Sequence, residues 1–391
     1  MNPELVTNGA ALHDVCTRLV AAGRFAFDTE FVTEDSYRAQ ICLVQAATDS
    51  FCALLDPLAG ADLRPFWELV ADPQVETIVH SGSEDVGLCV QEIGRPAARV
   101  FDVQVAAGFV GWGYPMNLGR LVRRACHARL HKSETLSDWR RRPLTADQIA
   151  YAVEDVSYLP AAHAQLTQQL DRLGRRGWFD EEMAALRMRV VPADGQRGRI
   201  RRPSGARSLT GRGLAIADAL LDERDKLARE LDRPVRGVLK DHLLIELAKR
   251  GWTDIARMRT LRGLSVSNAG LRRLAAAIEQ AKQVPEHELP AIATVEENPE
   301  LDALAALSEA ILRDYCLHHE LSFALLTGKR DIESFVTSRL DRSSPTAPEN
   351  ESSLARGWRY QVVGRMLEHV LLGESSIQVE RRGHRLGLVI R

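Results

Sequence analysis

The chain has 391 residues, of which 45% are hydrophobic and 27% charged, with a formal net charge of −2. That is the composition of an ordinary globular protein long enough for two or three domains. The near-neutral balance excludes a whole-chain electrostatic signature of nucleic-acid binding, so any such binding must come from local patches. Cysteines 16, 42, 52, 89, 126 and 316 form no Cys-x-x-Cys pair, no zinc spacing and no disulfide framework. They read as small core residues of a reducing compartment. The N-terminus lacks a basic segment followed by an apolar run, and no run nears the ~20 residues of a membrane span. A cytoplasmic protein with no membrane partner is the expectation.

In chain order, RFAFDTEF (24–31), AQICLVQAAT (39–48) and SFCALLDP (50–57) are three strand candidates, the last stopped by Asp56-Pro57. Short loops between them predict an antiparallel meander. A helix near 62–71, a strand over 75–80 and a helix from Ser83 to Ile93, ended by Gly94, come next. ARVFDV (98–103) is a further strand. The last helix of this region begins at Thr145, whose spacing to Gln148 is that of a capping box, and runs to about Leu173 with a kink expected at Pro160. Together these predict a mixed sheet flanked by helices.

Over 187–212 eight arginines (187, 189, 197, 199, 201, 202, 207, 212) face one acid, Asp194, among Gly, Pro and Ser. This is a basic linker, readable either as a solvated tether or as a strap that contacts phosphates. Residues 208–285 read as a compact domain of four helices, closed by the acidic, proline-containing PEHELPAIATVEENPE. Helical character returns over 301–373, interrupted by the polar SSPTAPENESS, which is expected to be mobile. The tail SIQVERRGHRLGLVIR reads as a hairpin turning near Gly383.

Within FAFDTEF the strand period puts Phe25, Phe27, Thr29 and Phe31 on one face and Asp28 and Glu30 on the other. Two carboxylates ~7 Å apart at their backbones repel unless a cation sits between them, and a divalent ion suits carboxylate oxygens. A solvated edge with two surface acids is the competing account. Asp-x-Glu also recurs at Asp180/Glu182 and Asp331/Glu333, although without a strand-like setting. Asp85 falls in the first turn of its helix, with Ser83 as the expected N-cap, where an acid simply favours the helix dipole. Tyr151 and Asp155 are four apart and share a helix face.

Taken in order, Asp28-x-Glu30, Asp85 and Tyr151-x-x-x-Asp155 make the sequence resemble the DEDD superfamily of 3′–5′ exonucleases, tyrosine subgroup, and more narrowly the ribonuclease D family. FDTEFVTEDSYRAQICLVQ, IVHSGSEDVGLCVQEIG, VFDVQVAAGF and HKSETLSDWRRRPLTADQIAYAVEDVSYL carry the resemblance over about residues 10–180. The stretch from SLTGRGLAIADALL to MRTLRGLS resembles an HRDC domain, a helical nucleic-acid-binding module. HELSFALLTGKRDIESFV occupies the place of a second such module.

The implied fold is an α/β exonuclease domain with a ribonuclease H-like mixed sheet, followed by one or two all-α HRDC-like domains. The implied boundaries are an exonuclease domain 1–182, a basic linker 183–207, an HRDC-like domain 208–285, an acidic linker 286–300 and a second helical domain 301–391 with a C-terminal hairpin. The resemblance implies a metal-dependent 3′–5′ exoribonuclease that releases nucleoside 5′-monophosphates from RNA, with transfer-RNA precursors the expected substrate. It implies two Mg2+ or Mn2+ ions, with Asp28 bridging them, Glu30 and Asp155 completing one site and Asp85 supporting the other through water. Tyr151 would orient the attacking water. Thr29, His80, Lys132 and Arg141 are the expected substrate contacts; for His80 a packed core histidine competes, and for Lys132 and Arg140–Arg142 a solvated basic loop. Phe31 is expected in the core, with Trp139 and Pro143 structural. A monomer is favoured. A DNA 3′–5′ exonuclease and a non-catalytic RNA-binding protein remain as alternatives.

Overall fold

The computed structural model describes residues 2–131, 137–190, 205–290, 298–340, 351–382 and 385–391. The chain divides into two compact units. One takes Met1–Thr29, Leu43–Val190 and Glu297–Arg391; the other takes Glu30–Cys42 and Val191–Glu296.

The first unit is built on a six-stranded sheet of order β1-β4-β3-β2-β5-β6. Its strands are β1 (Glu4–Val6), β2 (Arg24–Val32), β3 (Gln40–Ala47), β4 (Cys52–Leu55), β5 (Glu76–Val79) and β6 (Val100–Asp102). β3 and β4 pair antiparallel, as the meander requires, while β1 lies parallel to β4 and β5 runs parallel to both β2 and β6. The expected mixed sheet is therefore present. β1 is an addition: three residues are too few to show a period. The phenylalanine face of β2 packs as read. Phe25 and Phe27 are fully buried, each with its ring 5.7 Å from Phe66, and Trp67 lies edge-on to Phe27 at 6.2 Å. Aromatic burial on one face fixes which way the opposite face points.

The flanking helices are α1 (Gly9–Ala22), α2 (Arg64–Val70), α3 (Ser83–Ile93), α4 (Val103–Phe109), α5 (Leu118–Cys126), α6 (Ala146–Ser157), α7 (Leu159–Arg172) and α8 (Arg176–Val190). The capping box forms as expected: the Gln148 amide donates to the Thr145 hydroxyl at 3.1 Å and the Thr145 amide to the Gln148 side chain at 3.0 Å. Pro160 does more than kink. The helix breaks at Tyr158 and restarts with Pro160 in the first turn of α7, where its missing N–H costs nothing. The expected N-cap of α3 is corrected. Gly82, not Ser83, holds the cap position and offers no side chain, and the buried Asp102 carboxylate accepts the Ser81 and Gly82 amides at 3.1 Å each instead.

The second unit is helical: α9 (Gly211–Glu230), α10 (Val235–Val238), α11 (Asp241–Arg250), α12 (Ile255–Met258) and α13 (Asn268–Lys282). Leu220, Leu244, Leu247, Leu271, Leu274 and Ile278 form its fully buried core. The loop after β2 belongs to this unit: the Tyr37 hydroxyl donates to Asp225 at 2.8 Å and Arg229 lies over the Tyr37 ring. Arg187 is part of α8 and donates to the Ala98 carbonyl, and Arg212 begins α9 and donates to the Ala281 carbonyl at 3.2 Å. The arginines at 197, 199, 201 and 202 lie outside the described residues, as does most of the polar loop, 341–350.

The C-terminal stretch rejoins the first unit as α14 (Pro299–His318), α15 (Phe323–Leu326), α16 (Lys329–Leu340), α17 (Gly357–Arg359), a π-turn over Tyr360–Gly364 and α18 (Arg365–Leu371). The hairpin β7 (Ile377–Arg382) and β8 (Arg385–Ile390) closes it; the turn at Gly383 lies outside the described residues. Two anchors hold this stretch. The buried Arg175 guanidinium donates to the carbonyls of Phe109, His319 and Glu320. Trp358, 1% exposed, stacks on Trp178 at 5.5 Å and meets Phe109 at 5.0 Å. Its backbone amide donates to Glu181 and its indole N–H to Glu182 at 2.9 Å. Among the described residues no helix is long and apolar enough to cross a membrane.

Candidate active site

Side-chain alternation along β2 presents Asp28 and Glu30 on the face away from the aromatic core. On α6, the turn that carries Tyr151 and Asp155 faces the same edge. Ligand atoms of Asp28, Glu30 and Asp155 all lie within 4.8 Å of one another, each residue half-buried. Three like charges at that spacing are unfavourable by themselves. Asp155 carries a separate cost: burial pushes its carboxyl up to about 7, the hydrogen bond from Tyr151 pulls it down and the neighbouring Glu154 charge raises it. Its Oδ2 is buried without a hydrogen-bond partner. An orphaned carboxylate oxygen beside two further carboxylates is a donor set for a hard divalent cation, and the residues fit such an ion.

Asp85 arrives from another direction. The turn between β5 and α3 is tight: Ser81 adopts a left-handed φ of 58°, and a Cβ on Gly82 would meet the Val79 Cβ at 2.4 Å. Asp102 clamps that turn from below and also accepts the Gln104 amide at 2.8 Å. The first turn of α3 then delivers Asp85, 8% exposed, onto Thr29, the residue between Asp28 and Glu30. The Thr29 hydroxyl donates to its carboxylate. Burial nevertheless pushes Asp85 up to about 6. Thus the acids read from sequence converge on one end of β2, though Asp85 stands outside the tightest group of three.

The other sequence candidates are placed as follows. Thr29, 7% exposed, spends its hydroxyl on Asp85. His80 is half-buried with Nε2 on the Met116 carbonyl at 2.9 Å, and burial holds its pKa below the ordinary range. Arg141 is exposed, 3.4 Å from Asp138, and Arg140 pairs with the same acid at 3.1 Å. Arg142 grips the buried Asp56 through two hydrogen bonds at 2.6 and 2.7 Å, which pins the loop before α6 to the end of β4. Lys132 lies outside the described residues. Phe31 is half-buried rather than core, and Trp139 is buried with its ring 5.9 Å from that of Tyr151.

A cavity of about 490 Å³ is lined by Tyr151 and Asp155 together with Arg123, Arg129 and His131. Sequence reasoning did not single out the last three. The signal was the double arginine in LGRLVRRAC, which a helix C-terminus favours for its dipole alone.

Comparison with known proteins agrees with this geometry. A 3′–5′ exonuclease family matches residues 3–171 and the HRDC domain family matches residues 213–278. Ribonuclease D of Jannaschia sp. (strain CCS1) is 32% identical, covering 96% of this chain and 97% of its own length. Ribonuclease D of Acidiphilium cryptum is 31% identical over 99% of this chain and 97% of its own length. The crystal structure of Escherichia coli RNase D, described as an exoribonuclease involved in structured RNA processing, superposes with a TM-score of 0.80 at 28% identity. It covers 96% of this chain and 99% of its own. An exonuclease fold of this kind depends on divalent metal, RNA is the substrate, and the DNA and non-catalytic alternatives are not favoured. Kinship over nearly the full length, with the acids gathered on one strand end, means that the chain belongs to the ribonuclease D family and is a 3′–5′ exoribonuclease.

Proposed function

We propose that Asp28, Glu30, Asp85 and Asp155 hold two divalent cations, magnesium or manganese, and that Tyr151 positions the attacking water. The observation that carries this is the approach of Asp28, Glu30 and Asp155 to within 4.8 Å. Bound cations of this kind acidify water and neutralise charge on the attacking and leaving oxygens of an in-line displacement. The protein's share is to hold the carboxylates. Phe25 and Phe27 lock the strand, Thr29 turns Asp85 toward it, and the capping box fixes the start of the helix that carries Tyr151 and Asp155. An unperturbed phenol is too weak an acid to give up its proton near neutral pH, so Tyr151 orients rather than deprotonates.

The product is a nucleoside 5′-monophosphate removed from an RNA 3′ end. Transfer-RNA precursors are the substrate we favour, acted on by a cytoplasmic monomer. Thr29, His80, Lys132 and Arg141 keep a proposed part in substrate positioning, Thr29 and His80 through the groups that they hold in place. The division of labour we propose is catalysis in 1–182, a basic linker 183–207, HRDC-like RNA binding in 208–285, an acidic linker 286–300 and a second helical region 301–391. The packing of Trp358 on Trp178 supports reading that last region as a brace for the first. In purified protein, a labelled RNA 3′ end should be released as mononucleotide, and a chelator should stop it. Asp28→Ala and Asp155→Asn should reduce turnover to background, and Tyr151→Phe should cost about 10²-fold. Full activity in either aspartate variant would refute the site.

A further inference from the structure

The cavity beside the acids has a basic wall that the proposed chemistry does not use. Arg123, in the last turn of α5, and Arg129, in the loop that follows, line it together with Tyr151 and Asp155. Both are exposed, and neither has an ion-pair or hydrogen-bond partner among the described residues. Arg124, next to Arg123 on α5, is engaged elsewhere: it lies over the Trp112 ring at 5.0 Å. Glu154, the other acid of the cavity lining besides Asp155, is taken up by His131, accepting its backbone amide at 2.8 Å and pairing with its ring.

Helix-dipole stabilisation accounts for a basic residue at the position of Arg123, and solvation accounts for Arg129. Neither accounts for both arginines lining one cavity that Asp155 also lines. Cationic side chains beside a cation-binding cluster repel its ions unless an anion lies between them. That anion cannot come from the departing nucleotide. A nucleotide cut from a 3′ end with a free hydroxyl carries one phosphate, the scissile one. Any other phosphate near the site belongs to nucleotides on the 5′ side of the cut.

The geometry points to Arg123 and Arg129 as a phosphate-binding wall for the RNA backbone immediately 5′ of the scissile bond. This rests on the reading of Tyr151 and Asp155 as the hydrolytic centre. The wall holds the strand by charge and guanidinium hydrogen bonds, without reading bases. It thereby favours an unpaired 3′ tail, whose backbone can follow the cavity, over a blunt duplex end.

The test uses the full chain with Arg123→Gln, Arg129→Gln and the double variant. Arg120→Gln serves as the control, an equal charge loss on α5 at a residue outside the cavity lining. Binding of a 5′-fluorescein 12-nucleotide RNA is followed by anisotropy in chelator, where no turnover occurs. Each single variant should lower the slope of log affinity against log salt by about 0.7, and so weaken binding about fivefold at 0.1 M salt relative to 1 M. The double variant should lower the slope by about 1.4. With cation restored, the variants should lose kcat/KM on a pentanucleotide through KM and match wild type on a dinucleoside monophosphate, whose single phosphate is the scissile one. Unchanged salt slopes overturn the proposal, as does an equal loss in Arg120→Gln or an equal loss on the dinucleoside monophosphate. Should wild type not hydrolyse RNA at all, the hydrolytic reading falls, and the anisotropy arm still decides whether these arginines hold RNA.

Discussion

Asp155 and Asp85 are the residues where the cost of the site is concentrated. An aspartate in the unfolded chain ionises near 3.8, whereas folded Asp155 holds its proton to about 7 and Asp85 to about 6. Between those limits the folded state binds more protons than the unfolded state, so stability falls as pH rises and levels off above about 7. A cation that binds the ionised carboxylates reverses the sign, since ligand binding to the native state adds stability. Without divalent metal, the melting temperature should therefore drop from pH 5 to pH 8; with millimolar Mg2+ or Mn2+ the drop should shrink or invert. A metal-independent profile in thermal scans would contradict it. Thr29 is tested in the same way. Thr29→Val keeps the shape and removes the hydroxyl that Asp85 accepts, so cation affinity or activity should fall about 10–100-fold with the fold intact. The half-saturating metal concentration reports it. Period two and period 3.6 put each acid on a definable face, and only their order, through the family resemblance, singled them out from surface acids. The duty of Thr29 was not legible, since it depends on a partner 56 positions away.

Among elements, those with local signals were read well. Thr145 and Gln148 announced a helix start by spacing alone, and Pro160 announced a kink where the structure has a break. The cap of α3 was misread because the stabilising oxygen comes from Asp102, on another strand, while the nearby Ser83 only looked suitable. β1 escaped notice because three residues carry no pattern. The C-terminal helices were legible as helices, and their seat was not. Trp358 finds Glu182 across 176 positions, and nothing in GWRYQVVG announces that. Trp358→Ala should remove a side chain buried against Trp178 and Phe109 and destabilise the first unit by roughly 3–5 kcal/mol. Urea unfolding monitored by far-UV circular dichroism would measure this, and a change below about 1 kcal/mol would mean that the last helices contribute little to that core.

At the scale of the whole molecule, a net charge of −2 hides local contrast. Arginine-rich stretches, an acidic cluster and an acidic linker cancel in the sum although each is locally one-sided in sequence. Fold class was legible because five residues in a fixed order carried a family resemblance and the hydrophobic periods supplied the layers. The grouping of 298–391 with the sheet is a tertiary matter that no linear pattern encodes. It also has a bearing on synthesis. While only the first 297 residues have left the ribosome, Arg175 still lacks two of the carbonyls it grips and Phe109 lacks the indole that covers it. The packing around Arg175 and Phe109 can therefore finish closing only after the stretch through Arg359 has emerged and docked.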